Sequence, residues 1–145
     1  MRMSTKAQYA VRAMVNLNLY SEGSPVSLRD ISLRESISLT YLEQLFVKLR
    51  RGQIVKSVRG PGGGYLLARP AEEIQVDEII DSVEESLVPV ACMDQKHGCV
   101  CDDHCVTHNV WHGLGEKIRD FLASITLEEL TQEARNKFNE AKGKN

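Results

Sequence analysis

All the cysteine and histidine residues of this chain fall between Cys92 and His112. Thiolate and imidazole are the side chains that zinc and iron-sulfur clusters select. Because the chain uses these residues nowhere else, its metal-binding chemistry is concentrated in one segment, and the rest must fold around an ordinary apolar core. The candidate ligands are Cys92, His97, Cys99, Cys101, His104, Cys105, His108 and His112.

The length and composition predict one soluble domain with an appended element. The chain has 145 residues, of which 42% are hydrophobic and 26% charged, as is usual for a globular protein. No stretch approaches the roughly 20 apolar residues of a membrane span, and the N-terminus lacks the apolar core of a signal peptide. We therefore expect a cytoplasmic protein, whose clustered cysteines are ligands or redox groups rather than disulfides.

The charge is divided between the two halves of the chain. Residues 1–70 carry 11 Lys and Arg against 4 Asp and Glu, whereas residues 71–145 carry 7 against 16, which gives +7 and −9 and the net charge of −2. Such asymmetry favours a basic N-terminal module that faces a polyanion, although two solvated faces would show the same balance.

Three helices are predicted in the basic half. Ser4 or Thr5 can cap the first, and Ser27 the second, which ends near Glu35. A tight connection then leads to a third helix over residues 39–51, with Ser38 as the expected N-cap and Thr40 with Glu43 as the alternative capping pair. Two short helices joined by a turn are typical of a helix-turn-helix, whose second helix enters the major groove of DNA. The residues expected away from its apolar stripe are Thr40, Tyr41, Glu43, Gln44, Val47, Lys48 and Arg51.

A glycine-rich hairpin follows the third helix. Gly52 is a natural helix end, and residues 54–58 and 65–68 are typical of two β-strands on either side of a loop that contains Arg59 and Gly60. A nucleotide-binding loop would need a following Gly-Lys-Ser/Thr and a helix, and a strand follows here. The hairpin is therefore predicted to be the wing of a winged helix, in which Arg59 can enter a minor groove.

The second half predicts further helices. Pro70 is expected at the first position of a connecting helix over residues 71–91, and a long helix over residues 106–125 carries an apolar stripe from Trp111 to Ile125. A symmetric helix pair with a second copy is the simplest partner for that stripe, with folding back on its own domain as the alternative. Thr126 and Glu129 form a capping box for a last helix over residues 126–145.

The spacing of the Cys and His residues leaves two metal sites open. Cys92, Cys99, Cys105 and His108 are separated by six, five and two residues, which is long enough for the backbone to wrap a cluster. Structural zinc sites usually pair cysteines across two to four residues, twice over, and this spacing favours a cluster over zinc. A small zinc site formed by Cys99, Cys101, Cys105 and His108 remains the alternative.

These motifs resemble the iron-sulfur cluster regulators (IscR), bacterial transcription factors of the winged-helix type. The matching stretches are YLEQLF at 41–46, SVRGPGGGYLL at 57–67, and CVTH at 105–108 followed by Trp111. The first gap between ligands is one residue longer than the usual family pattern, and Cys101 is an additional thiol. The resemblance covers almost the whole chain.

The resemblance implies a mainly α-helical homodimer with a small β-hairpin wing, a domain over residues 1–70 that binds double-stranded DNA, and a cluster loop over residues 92–108. It implies a [2Fe-2S] cluster, delivered by cluster-donating assembly proteins, and repression of cluster-biogenesis genes. The implied cluster ligands are Cys92, Cys99, Cys105 and His108. The implied DNA-binding residues are Ser38, Thr40, Tyr41, Glu43 and Gln44, with Arg59 and Gly60 in the wing, and the helix pattern adds Lys48 and Arg51.

Other functions remain to be distinguished. Related regulators that sense nitric oxide through a [4Fe-4S] cluster have three similarly spaced cysteines but no histidine at the position of His108. A zinc-dependent or thiol-redox repressor is a further alternative, and a zinc protein would be colourless. A small redox or cluster-carrier protein would show no salt-dependent binding to DNA. An enzyme is not expected, since no catalytic set or cofactor fingerprint is found. Two interpretations of Glu43 stay open. Its carboxylate can accept a hydrogen bond from a cytosine amino group and is repelled by phosphate, and it would then discriminate between bases. Alternatively, it only caps the turn at Thr40.

Overall fold

The computed structural model describes residues 3–83 and 106–143. Helix α1 spans Thr5–Ser21, α2 Leu28–Glu35 and α3 Leu39–Arg51, and the strands β1 (Val55–Val58) and β2 (Gly64–Leu67) follow. Helix α4 spans Val76–Val83, and α5 (His108–Ala123) and α6 (Leu127–Gly143) complete the described chain. The fold is mainly α-helical with one small hairpin, as predicted.

Serine side chains begin the first three helices. The Oγ atoms of Ser4, Ser27 and Ser38 accept hydrogen bonds from the backbone N–H groups three residues ahead, at 3.1 to 3.2 Å. Each bond satisfies a donor that the first helical turn leaves without an internal partner. The expected cap at Ser38 is therefore confirmed over the alternative at Thr40.

A shared apolar core joins α1, α2 and α3. The buried face of α3 is made of Leu42, Leu45, Phe46 and Leu49, and it packs with Met14 and Leu17 of α1 and with Ile31 of α2. Between α2 and α3, Ser36 adopts a left-handed conformation with φ 55°, and Ile37 is buried. The turn is thus fixed by both backbone geometry and packing, and it sets the angle between the two helices.

The two strands form an antiparallel hairpin in which Val55 pairs with Leu67 and Val58 with Gly64. Strand β1 begins one residue after its predicted start and ends at Val58 as predicted, whereas β2 begins and ends one residue before its predicted bounds. Gly52 ends α3 as predicted, but the left-handed conformation is adopted by the next residue, Gln53, with φ 60°. A bridge between Val26 and Tyr65 ties the α1–α2 linker to the hairpin, so the hairpin is anchored at its base.

The prediction that Pro70 occupies the first position of the connecting helix is wrong, although Val76, Ile79, Ile80 and Val83 form the buried face of a small amphipathic helix, as expected. Pro70 precedes a single 3₁₀ turn at Ala71–Glu73, and α4 begins only at Val76. The apolar side chain of Ile74 is buried between the two, and its extended backbone accepts a hydrogen bond from the Leu127 N–H at 2.8 Å. The helix is interrupted because this segment pairs with the chain before α6. Residues 84–91 of the predicted connecting helix lie outside the described residues.

Helix α5 begins two residues later than expected and ends at Ala123. The predicted capping box of α6 is present, because Thr126 Oγ1 accepts from the Glu129 N–H at 3.2 Å and the Glu129 carboxylate accepts from the Thr126 N–H at 3.3 Å. Within the described ranges, no helix is both long and apolar enough to cross a membrane.

Candidate nucleic-acid interface and metal-binding segment

The polar face of α3 lies on the surface, opposite the core. Thr40, Glu43, Gln44 and Arg51 are exposed, and Lys48 is partly buried. Because the apolar residues of α3 are packed in the core, the helix cannot rotate about its axis without disrupting that packing. Its polar side chains therefore keep a constant orientation toward solvent. The sequence prediction for these residues is thus matched by their exposure.

Tyr41 differs from its neighbours on α3. Its ring is partly buried against the core and meets the ring of Tyr9 edge to face, with centroids 5.7 Å apart. The Arg12 guanidinium lies 5.3 Å from the centroid of Tyr9. The expectation that Tyr41 faces away from the apolar stripe therefore needs correction, because its ring also fixes α3 against α1.

A polar network that the sequence analysis missed holds α1 against α2. The Arg12 guanidinium donates to the carboxylate of Glu35 at 3.2 Å and to its backbone carbonyl at 2.9 Å. Asn16 donates to the other carboxylate oxygen at 3.3 Å and accepts from Arg34 at 3.0 Å. Asn16 was the available signal, because it is a polar residue on the otherwise apolar buried face of α1 and such groups require partners.

The glycines at the tip of the hairpin form a tight turn. The Gly63 N–H donates to the Gly60 carbonyl at 2.9 Å, and Gly62 has φ 74°, so Gly60 to Gly63 form a type II turn with Pro61 at its second position. Gly64 lies against the backbone of Val26, where any Cβ would clash. The turn leaves Arg59 and Gly60 exposed at the end of the hairpin.

The capping role suggested for Glu43 is not seen. Ser38 already caps α3, and within residues 3–83 and 106–143 the carboxylate of Glu43 has no hydrogen bond or ion pair. Glu43 thus stands exposed one turn beyond Thr40, among the residues predicted to face DNA. Its role in discrimination between bases stays a prediction.

Three of the four predicted cluster ligands, Cys92, Cys99 and Cys105, lie outside the described residues. The fourth, His108, is the first residue of α5 and is partly buried. Its ring stacks on that of His112 with centroids 6.3 Å apart, and His112 Nε2 lies 3.0 Å from Glu116. In the part of the chain that the structure describes, no group of three His, Cys, Asp or Glu residues could hold a metal ion.

Helix α5 has a largely uncovered surface. None of its residues is buried, and Val110, Leu114 and Phe121 are 61%, 40% and 65% exposed. Its C-terminal end, at Leu122 and at Ile125 beyond it, packs on its own domain, against Ala7, Val76 and Ile80, and Trp111 and Ile118 are partly buried. The structure therefore agrees with folding back at this end, while Leu114 and Phe121 of the predicted stripe are exposed in the described chain.

Electrostatic contacts accompany the packing between α4 and α5. Burial raises the pKa of Asp81, the Arg119 guanidinium of α5 opposes that rise, and the nearby carboxylates of Asp77 and Glu78 add to it. Burial also tends to raise the pKa of Glu78, but the N–H of Gln75 and the guanidinium of Arg69 bring it below its ordinary value. Between the two helices, Arg119 of α5 thus offsets the mutual repulsion of carboxylates that lie on α4.

Comparison with known proteins gives consistent matches. Residues 3–133 match the family model Rrf2, described as an iron-dependent transcriptional regulator. The HTH-type transcriptional regulator IscR of Xenorhabdus nematophila is 52% identical over 132 residues, which are 91% of this chain and 80% of that protein. The protein of the same name from Pectobacterium carotovorum is 51% identical and covers 90% and 79%.

Two solved structures are also similar to this chain. The structure of T. potens IscR superposes with a TM-score of 0.76 at 39% identity and covers 92% of this chain and 88% of its own. CymR, the global cysteine regulator of B. subtilis, superposes with a TM-score of 0.78 at 31% identity and covers 92% and 98%.

Proposed function

This chain belongs to the Rrf2 family of iron-dependent transcriptional regulators and is a DNA-binding regulator rather than an enzyme, and from that premise we propose that it is a homodimeric repressor of cluster-biogenesis genes that senses a [2Fe-2S] cluster. The proposal assigns DNA contact to residues 1–70, cluster binding to residues 92–108 and dimerisation to α5, with α4 and α6 as supports.

The exposed face of α3 beside the anchored hairpin is the observation that carries the DNA-binding part. The ring of Phe46 on α3 meets that of Tyr65 on β2, with centroids 4.9 Å apart, so the two elements are packed as one unit. A helix in the major groove and an arginine in the adjacent minor groove are a common pairing in DNA recognition. The +7 charge of residues 1–70 supplies the attraction to phosphate.

Each of the proposed DNA-binding residues has a part in this assignment. Gln44 can pair with an adenine edge and Glu43 with a cytosine amino group, while Arg59 meets the strong negative potential of a narrow minor groove. Backbone can approach DNA closely at Gly60, since it has no side chain. The remaining contacts, chiefly to phosphate and sugar, are assigned to Ser38, Thr40, Tyr41, Lys48 and Arg51.

The donor chemistry of the proposed cluster site fits a [2Fe-2S] cluster. Three thiolates from Cys92, Cys99 and Cys105 and one imidazole from His108 are ligands of the kind that such clusters take. The bound cluster would supply a signal that depends on iron, sulfide and oxidation state. His108, as the first residue of α5, would connect the loop directly to the proposed dimerisation helix.

A dimer through α5 would give the uncovered side chains a partner. Val110, Leu114 and Phe121 are exposed on a helix without a buried residue, and a symmetric pair of such helices buries the same surface on both copies. Two copies would also present two recognition helices to two half-sites. The proposal is thereby consistent with a palindromic operator.

The base of α5 provides a physical connection between the loop and the DNA-binding unit. The Val76 N–H donates to the Ile125 carbonyl at 3.0 Å, and the segment before α4 pairs with the segment before α6. Because α4 also packs on α3, a change at the start of α5 can shift the relative placement of the two recognition helices in a dimer. Such a shift acts on transcription only as a difference in affinity between DNA sites.

Anaerobic purification followed by a visible spectrum and iron and sulfide analysis tests the cluster. We expect red-brown protein with two irons and two sulfides per chain, as the [2Fe-2S] composition requires. His108→Ala should lose or destabilise the chromophore, whereas His112→Ala, one turn further along the same helix, should retain it. Equal loss in both variants, or a colourless zinc protein, would contradict the ligand assignment.

A further inference from the structure

Val47 is an apolar residue at the centre of the exposed polar face of α3. At about 3.6 residues per turn it lies about 20° around the helix axis from Thr40 and about 40° from Glu43 and from Arg51. It lies about 150° from the middle of the buried face. Its side chain is 37% exposed, and among the described residues it is not one of the partly buried side chains that pack on the core.

Neither the core nor helix propensity explains a valine at this position. Isolated exposed apolar residues are common on protein surfaces, but this one stands within the proposed DNA-contacting stripe. Valine is also a poorer helix former than alanine, glutamine or lysine, because its branched side chain loses rotamer freedom in a helix. Leu39, which is 40% exposed, differs, because it continues the buried stripe at the helix end.

We propose that Val47 is a specificity-determining residue that contacts the 5-methyl group of a thymine in the major groove. The inference rests on the proposed function, since it requires that this face of α3 enters the groove. Thymine is distinguished there by its O4 acceptor and its methyl group, and the methyl group is read by apolar side chains. A cytosine at the same position offers no apolar group in its place.

The neighbours of Val47 give the contact a consistent chemistry. Gln44 lies one turn before it, about 4.5 Å along the axis, a separation similar to the roughly 3.4 Å between successive base pairs. An amide side chain pairs with the N6 and N7 atoms of adenine. Gln44 and Val47 together would therefore favour A·T pairs at adjacent or nearly adjacent positions of the operator.

The test uses the dimeric full chain and duplexes that the wild-type protein enriches from a randomised pool. Each thymine of the enriched duplex is replaced in turn by deoxyuridine, which removes only the methyl group and leaves the base pairing intact. At one thymine per half-site we expect about fourfold weaker binding by the wild-type protein, the loss associated with one buried methyl group. For Val47→Ala the same replacement should have a much smaller effect, because the two γ-methyl groups of valine that would reach the thymine are gone and only the shorter β-methyl group remains.

Val58→Ala is the matched control. Val58 is 38% exposed, almost as much as Val47, but it ends β1 in the hairpin. Its removal should leave the fourfold effect of deoxyuridine unchanged. Because alanine is the better helix former, Val47→Ala should also unfold at the same or a higher temperature than the wild-type protein, and loss of folding is thus separated from loss of contact.

Two results would overturn the inference, and they are distinguishable. If the wild-type protein enriches no sequence, the proposed function fails and the inference with it. If sequences are enriched but the effects of deoxyuridine are the same for the wild-type protein and Val47→Ala, sequence-specific binding stands and the thymine contact is wrong.

Discussion

Helices α3 and α5 are both amphipathic, yet they are covered very differently. Helix α3 has 13 residues and buries Leu42, Leu45, Phe46 and Leu49, whereas α5 has 16 residues and buries none. Isolated helices of this length are marginal in water, and packing supplies most of their stability. The stability of α3 is therefore provided by packing within its own chain, whereas that of the largely exposed α5 would depend on the proposed contact with a second copy.

The same contrast separates their expected roles. Because α3 is fixed in a core, its exposed face presents side chains in a constant arrangement, as base readout requires. Because α5 is attached chiefly at its C-terminal end, its first turns, which include His108, can respond to what is bound there. The proposed roles, a rigid reading surface for α3 and a responsive sensor helix for α5, are therefore consistent with the distribution of buried residues.

Removal of a core side chain from α3 should have the largest effect on stability. Phe46 is fully buried, and Phe46→Ala should lower the free energy of unfolding by about 3–5 kcal/mol through lost burial and a cavity. Leu114→Ala on α5 should lower it much less at low protein concentration. Denaturant unfolding at several concentrations measures both, and an equal loss at every concentration would show that α5 is packed within one chain.

An aspartate on the uncovered face of α5 should weaken the proposed dimer. Phe121 is 65% exposed, and Phe121→Asp would place an unpaired charge in an apolar interface, so we expect a dissociation constant raised by about 100-fold or more. Phe138→Asp is the control, since Phe138 is 51% exposed but lies on α6. Sedimentation velocity over a dilution series distinguishes them, and similar behaviour of both variants would argue against α5 as the interface.

On the reading surface, base contacts and backbone contacts should separate. Gln44→Ala should weaken binding to cognate DNA by about 1–3 kcal/mol with little effect on random DNA, as expected for a side chain paired with a base. Arg59→Ala should weaken binding to most sequences and reduce the salt dependence by about one unit of slope. Fluorescence anisotropy at several salt concentrations measures both, and identical profiles would remove the distinction between the two elements.

Glu43 offers a sharper version of the same experiment. Loss of its repulsive carboxylate should relax discrimination, so that the cluster-free form of Glu43→Ala binds sites that otherwise require the cluster. Paired operator duplexes, each titrated with apo and loaded protein, measure this. A parallel weakening at all sites would leave Glu43 without a role in discrimination.

The sequence predicts well those elements that depend on local chemistry. Ser4, Ser27, Ser38 and the pair of Thr126 and Glu129 are found as caps because capping involves residues only three apart. The exposed face of α3 follows from its 3.6-residue period in the same way. Local signals were thus sufficient for the fold class and for most of the candidate DNA-binding face.

The errors arise where distant segments decide the structure. The interruption after Pro70 depends on pairing with the segment before α6, and the partial burial of Tyr41 depends on Tyr9 of α1. Neither partner is visible from local periodicity. Arg12 and Glu35 were missed for the same reason, since their ion pair joins residues of separate helices. The cluster ligands Cys92, Cys99 and Cys105 remain predictions.

Helix α6 lies between the two extremes, and its polar attachment to α1 should depend on pH. A hydrogen bond from Asn18 holds the pKa of Glu128 below its ordinary value of 4.5, against the effect of burial, and Arg135 and Gln132 assist. The carboxylate therefore stabilises the fold fully above that ordinary value, and the contribution is lost as the pH falls through the lowered folded-state pKa. Glu128→Gln should destabilise the protein by about 0.5–1 kcal/mol at pH 7 and flatten the loss of stability between about pH 5 and pH 3. Asn18→Ala should flatten the same part of the profile, and the double variant should add little to that flattening, because both changes disrupt the hydrogen bond between Asn18 and Glu128. Denaturant unfolding across this pH range measures all three, and fully additive effects would show that Asn18 and Glu128 stabilise α6 independently.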